Sequence, residues 1–344
     1  MATSETTLVI AAQRGDSEAF ERLVDLYRRP LHAHCYRMLG SLQDAEDALQ
    51  ETLLAAWRGL AGFAGRSSLR TWLYRIATNA CLRLAERRPK RVLASTRGPA
   101  WTDVHDLGEF REEDPTWLEP YPSEHEPTDP ADRYEQRENV ELAFVAALQK
   151  LPATQRSVLI LREVLEFSAA EVAEALDTTV ASVNSALQRA RKAVDRRIVE
   201  GTQAEELRAL GDPGRPDLVA AFVAAWERAD VDALLDMLAE DARFTMPPFP
   251  AWFLGKADIG RFLSERTFQN RWRVEPLVVS GQLGLACYRR DPDEGRFVLG
   301  ALNVLTLRDG QIVEMNAFLD PATHRWFGLP EEVADKDEGP LGQA

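Results

Sequence analysis

Residues 168–192 read SAAEVAEALDTTVASVNSALQRARK, and this stretch decides the fold of its part of the chain. Ser168 and Glu171 have the spacing of a capping box, which predicts a short helix over residues 171–176. Asp177 begins a tight turn, because aspartate tolerates the left-handed backbone conformation that such turns use. Thr179 is suited to cap a second helix. Two short helices joined in this way predict a helix-turn-helix.

The second predicted helix has two distinct faces. Its apolar face consists of Val180, Val183 and Leu187. The opposite face carries groups that can bond base edges in the major groove of DNA, namely Ser182, Ser185, Gln188, Arg189 and Lys192. Residues 182–197 hold five basic residues against one aspartate, which favours contact with phosphates. An ordinary helical hairpin with a solvated basic face is the alternative interpretation.

The whole chain has 344 residues, of which 45% are hydrophobic and 28% charged, as expected for a soluble protein of two or three domains. It has no apolar run long enough for a membrane helix and no secretion-signal pattern. Cys35, Cys81 and Cys287 are too far apart for a zinc pattern and fit a reducing compartment. His32 and His34 lie near Cys35, but side chains two apart on a helix point away from each other. We therefore predict a cytoplasmic protein with no metal or other cofactor and no membrane association.

Charge is distributed unevenly along the chain, whose formal net charge is -14. Residues 66–97 contain nine Arg or Lys against one acid, whereas residues 95–135 contain three arginines against twelve acids. The acidic stretch is also rich in proline, and a segment of that composition is not expected to bury a core. The local charge, not the net charge, indicates which segments can bind nucleic acid.

Changes in composition divide the chain into six parts. Residues 1–94 and 136–200 show apolar spacings of three and four, which predict two all-helical domains. An extended acidic linker, 95–135, separates them. A second linker, 201–216, contains the helix-breaking residues Gly211, Pro213, Gly214 and Pro216. Residues 217–330 read as two helices, a proline-rich corner, a helix and then alternating strands, which predicts an α+β domain. Residues 331–344 form an acidic tail.

Two further patterns lie in the first domain. The stretch DAEDALQET, residues 44–52, places Asp44, Asp47 and Glu51 on one helical face, where a merely solvated surface is the alternative. The stretch TWLYRIATNA, residues 71–80, combines aromatic rings with arginine and has no acid. Aromatic stacking along a cationic track can hold single-stranded DNA with its bases turned out. The alternative is that Trp72 and Tyr74 belong to the domain core.

These two stretches, the run LPATQRSVLILREV at residues 151–164, and the helix-turn-helix ending in RARK resemble the extracytoplasmic-function (ECF) sigma factors over residues 8–200. The resemblance implies that the first domain is sigma domain 2 and the second is sigma domain 4. It implies binding to core RNA polymerase, with Asp44, Asp47 and Glu51 on the clamp helices of the β′ subunit and the second domain on the β flap. Promoter DNA is the other implied partner, and no catalytic residue is needed.

The resemblance also assigns residues that read DNA. Those implied at the −10 element are Trp72, Arg75, Asn79 and Arg83, and those implied at the −35 element are Ser182, Asn184, Ser185, Gln188 and Arg189. Asn184 and Ala186 stand where relatives often carry basic residues, which implies fewer −35 contacts. The acidic linker would lie in a polymerase channel with positive walls, or act as a solvated spacer.

The C-terminal domain resembles the SnoaL-like polyketide cyclases and ketosteroid-isomerase-like proteins, in which helices and a curved sheet form a cone with an apolar pocket. The resemblance rests on element order, Trp226, the stretch DARF at 241–244, Gly255 and Asp309-Gly310. It implies a pocket lined by Trp226, Phe244, Met246, Trp252, Phe253, Trp272, Asn303, Asn316 and Phe318, although each of these could equally be a core residue. Where the isomerases place a carboxylate base, residues 244–248 read FTMPP, and Asp241 is expected at a helix end.

Three functions therefore remain open for this sequence. The first is a promoter-specificity subunit whose C-terminal domain regulates it, by binding a small-molecule ligand or by direct contact. The second is a cyclase or isomerase fused to a DNA-binding module, which the missing carboxylate disfavours. The third is a dimeric helix-turn-helix repressor, which leaves the first 94 residues without a role.

Overall fold

The computed structural model describes residues 5–96, 98–109, 116–122, 140–194, 203–293 and 295–334. The chain forms two compact units. The N-terminal unit comprises Met1–Arg91 and Asp129–Glu200, and the C-terminal unit comprises Val92–Thr128 and Gly201–Ala344. The described part of the first unit is helical and that of the second combines helices with a sheet, so the predicted fold class is confirmed.

The N-terminal unit contains two groups of helices. The first group is α1 Glu5–Gln13, α2 Ser17–Leu39, α3 Leu42–Leu60 and α4 Leu69–Ala85. The second group is α5 Leu142–Lys150, α6 Ala153–Leu159 with a π-helical turn at Ile160–Val164, α7 Ala169–Ala175 and α8 Val180–Ala193. The second group begins and ends inside the predicted domain 136–200.

Side-chain caps start the long helices of the first group. Asp16, Ser41 and Ser68 each accept a hydrogen bond from the backbone N–H three residues on, which satisfies a donor that the first helical turn leaves free. Gly40 ends α2 in the left-handed conformation, which glycine adopts without a steric cost. The turn between α2 and α3 is therefore encoded locally. Among the described residues, no helix is long and apolar enough to cross a lipid bilayer.

The C-terminal unit begins with helices α9 Gln203–Ala209, α10 Gly211–Glu227 and α11 Val231–Met237. Strands β1 Leu238–Thr245 and β2 Trp252–Leu254 precede α12 Gly255–Glu265. The remaining elements are β3 Trp272–Val279, β4 Gln282–Arg290, β5 Phe297–Arg308, β6 Gln311–Phe318, α13 Pro321–His324 and β7 Glu332–Val333. The sheet order is β2-β1-β6-β5-β4-β3, with β1 and β6 parallel and β7 paired to β5.

The main core of this unit lies between one face of the sheet and the three helices α10, α11 and α12. Buried residues of this core include Phe222 and Trp226 from α10, Leu234 from α11, and Phe262 from α12, packed against alternate residues of the strands. Because successive strand residues point to opposite faces, the same strands present a second set of side chains away from these helices.

Two expectations for this unit are wrong, and a third falls mostly outside the described residues. The region 201–216 is mostly helical where it is described, and Gly211, Pro213 and Pro216 lie in the first turns of α10 instead of a linker. Pro213 is tolerated because the backbone N–H groups of the first helical turn have no helical acceptors, whereas Pro216 lies inside the helix. Asp241 lies within strand β1, not at a helix end. Glu332 and Val333 form a short strand, and the rest of the predicted tail, 335–344, lies outside the described residues.

The acidic segment between the two helical groups also differs from its prediction. We call residues 92–122 the strap; it belongs to the C-terminal unit, and its described parts are packed on that unit instead of being solvated. Val104, Leu118 and Ala94 have no exposed surface, and Val104 is part of the main core. Apolar residues spaced between the acids therefore anchor a segment whose average composition indicates a solvated chain.

Hydrogen bonds hold the strap at several places on the unit. The backbone N–H of Trp101 donates to the carbonyl of Trp252 at 2.8 Å, and the Trp117 indole donates to the carbonyl of Pro248 at 2.9 Å. The Tyr121 carbonyl accepts a hydrogen bond from the Ser280 backbone N–H at 2.7 Å, and the Tyr121 backbone N–H donates to the Ser280 hydroxyl at 2.8 Å. The strap is thus fixed to the corner before β2 and to the β3–β4 turn.

Candidate nucleic-acid and partner interfaces

The helix-turn-helix forms as α7, a turn and α8. Ser168 and Glu171 make the reciprocal capping box, and Asp177 has a φ of 49° in the turn. The Thr179 hydroxyl accepts a hydrogen bond from the Ser182 backbone N–H at 3.1 Å. A residue type that tolerates the left-handed region therefore stands where the turn requires it.

Helix α8 presents one polar face to solvent. Its buried residues are Val183, Ala186, Leu187 and Ala190. All five residues predicted to read the −35 element are exposed together on the outer face, namely Ser182, Asn184, Ser185, Gln188 and Arg189. Val180 was expected on the inner face but is 44% exposed at the first residue of the helix. This face is sterically open to a DNA groove.

The residues predicted to hold the −10 element do not form one exposed surface. Trp72 is buried, with its ring 5.2 Å from that of Phe63 and close to Gly59, so it is a core residue of the first helical group. Arg75 and Asn79 are half-buried, and Arg83 is exposed. Only the last three can offer polar groups to a nucleic acid without unfolding.

The start of α4 is covered by the second helical group. The Arg70 guanidinium stacks 4.5 Å from the ring centre of Phe167 and 5.3 Å from that of Tyr74, and it donates to the carbonyl of Leu165 at 3.1 Å. The Thr71 hydroxyl donates to Glu171 at 3.1 Å. The pKa of Glu171 is lowered mainly by hydrogen bonds from the backbone and side chain of Ser168, which caps α7. The Thr71 hydroxyl and the Arg70 charge lower it further. One carboxylate thus serves both the helix-turn-helix and its contact with α4.

A second set of contacts joins the end of α2 to α5 and α6. Arg156 is buried and donates to the carbonyls of Leu148, Gln149 and Leu151, and also to that of Met38 at the end of α2. Burial lowers the pKa of this guanidinium to about 10. Gln149 adds a bond to the carbonyl of Arg37 at 3.2 Å. The two helical groups are therefore packed against each other within one unit.

The acidic stripe of α3 is largely neutralised by arginines of the same unit. Asp44 is buried and lies 2.9 Å from Arg91 and 3.3 Å from Arg88. Glu51 pairs with Arg83 at 2.5 Å. Asp47 is half-buried and, among the described residues, accepts a hydrogen bond only from the neutral amide of Gln43, at 3.0 Å. Of the three carboxylates, Glu51 is the one on an openly exposed surface.

Exposed apolar residues continue the surface that carries Glu51. Leu54 and Trp57 are 49% and 37% exposed, and both follow Glu51 along α3 at helical spacing. Large exposed apolar side chains beside charged ones are typical of a protein-binding surface. Sequence reasoning missed these residues; their signal is the apolar pair three residues apart on a helix face that is otherwise polar.

The histidines considered as metal ligands are used structurally. His34 has no exposed surface, its Nε2 bonds the Thr78 hydroxyl at 2.9 Å, and burial lowers the pKa of His34 to about 3. His32 lies 3.9 Å from Glu46, and burial lowers its pKa also. Among the described residues, no group of three or more His, Cys, Asp and Glu side chains could hold a metal ion.

The predicted pocket residues of the C-terminal unit divide between the two faces of the sheet. Trp226, Phe244, Met246, Phe253 and, at its edge, Trp272 belong to the main core, and Asn303 joins them by donating to the Cys287 sulfur at 3.3 Å. Trp252, Asn316 and Phe318 do not belong to this core. Asn316 follows Met315 of the core along β6, so it points to the opposite face, where it accepts a bond from Thr245 at 2.8 Å. The nine predicted residues therefore do not line one cavity.

The opposite face carries the one buried carboxylate found among the described residues of this unit. Glu314 accepts a hydrogen bond from the hydroxyl of Ser95 in the strap at 3.0 Å. Burial raises the pKa of Glu314, against the lowering effect of the Ser95 bond and of Arg243. Sequence reasoning missed this contact, because a serine at the edge of an acidic segment gives no local signal for a partner 219 residues away.

Three family models match the chain. They are Sigma-70 region 2 over residues 23–91, Sigma-70, region 4 over residues 141–194, and the SnoaL-like domain over residues 219–315. All three fall where the two helical groups and the sheet domain lie.

Relatives and solved structures extend the match. The chain is 42% identical over 336 residues to the ECF RNA polymerase sigma factor SigG of Mycobacterium tuberculosis, covering 94% of this chain and 89% of that relative. It is 32% identical to the RNA polymerase sigma-H factor of Pseudomonas aeruginosa over 55% of this chain and 91% of that one. The crystal structure of the Mycobacterium tuberculosis ECF sigma factor SigJ shares the fold, with a TM-score of 0.59, 22% identity and coverage of 90% and 99%.

Proposed function

The chain belongs to the ECF RNA polymerase sigma factors, and from that premise we propose that it binds core RNA polymerase and directs promoter recognition and melting, under regulation by its SnoaL-like domain. The observation that carries the proposal is the 42% identity to SigG across both sigma regions and the C-terminal domain. The exposed polar face of α8 supports −35 recognition by Ser182, Asn184, Ser185, Gln188 and Arg189.

Polymerase binding is assigned to the exposed part of α3. Glu51, Leu54 and Trp57 provide a carboxylate beside apolar area, and Asp47 lies one turn before Glu51. Such a surface suits a partner with basic and apolar side chains. We exclude Asp44 from the residues proposed to bind polymerase, because its buried carboxylate already pairs with two arginines. The −10 role rests on Arg75, Asn79 and Arg83, with Trp72 as the core residue beneath them.

Regulation is assigned to the strap. The strap follows α4 directly and leads to residues 123–139, so it is part of the chain that joins sigma region 2 to region 4. Because the SnoaL-like domain holds the strap, binding or release of the strap changes the length of chain available between the two regions. A ligand of the SnoaL-like domain would act through the same contacts.

We assign no catalysis to the chain. The main core of the SnoaL-like domain consists of apolar residues with Asn303 among them, and Glu314 points to the other face of the sheet. An inward-facing carboxylate base is thus lacking among the described residues, which disfavours a cyclase or isomerase. Turnover of a model ketosteroid by the purified protein would contradict this part of the proposal.

The test is transcription in vitro with core polymerase on a library of genomic fragments. Full-length protein is expected to start transcripts at specific sites, and Arg189→Ala is expected to lose most of that signal. A bidentate base contact contributes about 1–3 kcal/mol of discrimination, and Arg189 is exposed, so its loss leaves the fold intact. Arg191 serves as a matched control, because it pairs with Glu163 at 2.6 Å and is not among the predicted −35 residues. Failure of the full-length protein to bind core polymerase or to direct specific initiation would contradict the proposal.

A further inference from the structure

Two surfaces with different proposed partners are joined by one ion pair in the described part of the N-terminal unit. Glu51 belongs to the surface of α3 assigned to polymerase, and Arg83 belongs to the residues of α4 assigned to DNA. Their side chains meet at 2.5 Å, with Arg83 54% and Glu51 46% exposed. Neither group can make its best contact with an outside partner while it remains bound to the other.

We propose that the Glu51–Arg83 ion pair is exchanged when the protein engages its partners, so that polymerase takes Glu51, DNA phosphate takes Arg83, and each partner strengthens binding of the other. The inference rests on the proposed function and deepens it. It identifies a coupling between two sites, and coupling between two binding equilibria is reciprocal by thermodynamic necessity.

The surroundings of Arg83 suit a phosphate chain. Residues 83–91 contain five Arg or Lys and one acid, Glu86. Arg88 and Arg91 in this stretch are held by Asp44, and Arg88 remains about half exposed at 51%. Asp44 therefore positions the basic stretch, whereas Glu51 covers one cation at its beginning. A track of this charge binds nucleic acid by releasing counterions, and each covered cation weakens that binding.

The surroundings of Glu51 suit a basic protein surface. Leu54 and Trp57 lie on the same side of α3 and supply exposed apolar area. Asp47 lies one turn away and accepts a hydrogen bond from a neutral amide, so it has no cation to exchange among the described residues. Glu51 and Asp47 can therefore be compared in one experiment, because only Glu51 forms an ion pair with an arginine proposed to bind DNA.

The size of the expected effect follows from the exposure of the pair. Exposed ion pairs shift an equilibrium constant by about two- to fivefold, and salt screens them. Arg83→Gln frees Glu51 and is expected to tighten binding of core polymerase about two- to fivefold in the absence of DNA. Arg87→Gln removes the same charge from the same helix end and is expected to give no such gain.

The reciprocal arm uses a short single-stranded DNA of mixed sequence and no polymerase. Glu51→Gln is expected to tighten DNA binding about two- to fivefold more than Asp47→Asn, which makes the same change in net charge. Both gains are expected to shrink at high salt. Circular dichroism and thermal unfolding of each full-length variant check that the fold is kept.

The outcomes separate the exchange from the proposed function. If the wild-type chain fails to bind core polymerase, both are overturned. If the wild-type chain binds but Arg83→Gln binds no more tightly than wild type, the pair only fastens α3 to α4, and the exchange alone is overturned. The same holds if Glu51→Gln gains no more DNA affinity than Asp47→Asn. The exchange is supported if Arg83→Gln gains affinity for polymerase, Glu51→Gln gains affinity for DNA, and the Glu51→Gln/Arg83→Gln double variant shows neither gain.

Discussion

Asp44 shows how burial separates residues that the sequence groups together. Its side chain is only 6% exposed and is paired with Arg91, which is 11% exposed. Removing one partner of a buried pair leaves an uncompensated charge, which costs about 3–5 kcal/mol. We expect Asp44→Asn to lower the free energy of unfolding by about 3 kcal/mol, measured by denaturation of the full-length protein.

Asp47→Asn is the control for that measurement and is expected to change stability by less than about 0.5 kcal/mol. An Asp44→Asn protein with wild-type stability and weaker binding to core polymerase would contradict the structural role. It would instead make Asp44 a docking residue, as the sequence pattern indicates.

His34 makes the stability of the N-terminal unit depend on pH. Burial lowers its pKa to about 3 from 6.5, so the folded protein keeps it neutral while the unfolded chain binds a proton below pH 6.5. The stability that depends on neutral His34 is therefore complete above pH 6.5 and is lost as pH falls from 6.5 towards 3. At pH 5 the loss is about 2 kcal/mol.

This prediction is checked by urea unfolding at pH 7 and pH 5, for wild type and for His34→Gln. His32 and His324 also have a lowered pKa because of burial and contribute in the same direction, so only the difference between the two proteins reports on His34. The wild type is expected to lose about 2 kcal/mol more than the variant between these pH values. An equal loss in both proteins would show that His34 does not carry the effect.

At the scale of single residues, the sequence predicted types of side chain better than their exposure. The five polar residues on α8 could be placed because a helix period and two caps define its outer face. Trp72 could not be placed from the sequence, since a ring beside arginines can face either DNA or the core. Its contact with Phe63 and Gly59 shows that it faces the core.

At the scale of elements, local signals account for the success of the helix-turn-helix prediction. The capping box, the Asp177 turn and the Thr179 cap lie within twelve residues, so no distant contact is needed to define them. Strand β1 was missed for the opposite reason. Its sequence follows α11 without a turn signal, and its pairing with β6 depends on residues about seventy positions away.

The strap was predicted to be solvated because its acids and prolines dominate its average composition. Trp101, Val104, Leu107, Trp117, Leu118 and Tyr121 recur between them, and the structure uses these apolar residues as anchors. An average over forty residues conceals anchors of this kind, whereas their spacing could have revealed them. The contact of Ser95 with Glu314 could not have been found in this way.

Trp117 is the anchor whose loss should loosen the strap most. It is 8% exposed, and its indole bonds the carbonyl of Pro248. Truncating a buried Trp to Ala costs about 3–5 kcal/mol of local packing. We expect Trp117→Ala to speed hydrogen exchange of the backbone N–H groups of Trp101, Leu118 and Tyr121, while β4 and β5 keep wild-type rates. Leu254→Ala, at an exposed position of the same unit, is expected to leave all of these rates unchanged.

At the scale of the whole molecule, the structure resolves an apparent conflict between net charge and DNA binding. A protein of net charge -14 binds DNA in the proposed function because its acids and bases are separated along the chain. Many acids lie in the strap, which belongs to the C-terminal unit, whereas α4 and α8 carry the basic faces of the N-terminal unit. The two sigma regions also pack against each other through Arg70, Thr71, Gln149 and Arg156, and that packing covers the start of α4.

In the proposed regulation, the strap acts on transcription through the opening of this packed pair. Two tethered partners associate more strongly when fewer residues of free chain join them, because the effective concentration falls as a tether lengthens. A bound strap removes residues 92–122 from the tether that joins α4 to α5, so it is expected to favour the packed pair of sigma regions. Release of the strap should therefore favour the separated regions, which leave the start of α4 free for DNA.

We accordingly expect Trp117→Ala and Ser95→Ala to raise transcription in vitro by at least about twofold over wild type at subsaturating protein, with Leu254→Ala at the wild-type level. Ser95→Ala removes the bond to Glu314 and leaves a buried carboxylate without that donor, a change that weakens the strap without a large cavity. Because the two variants loosen the strap in different ways, a shared gain would come from release itself. Lower transcription from both variants, with unchanged binding to core polymerase, would contradict the expected rise in transcription. It would mean that the bound strap holds the sigma regions in their active form.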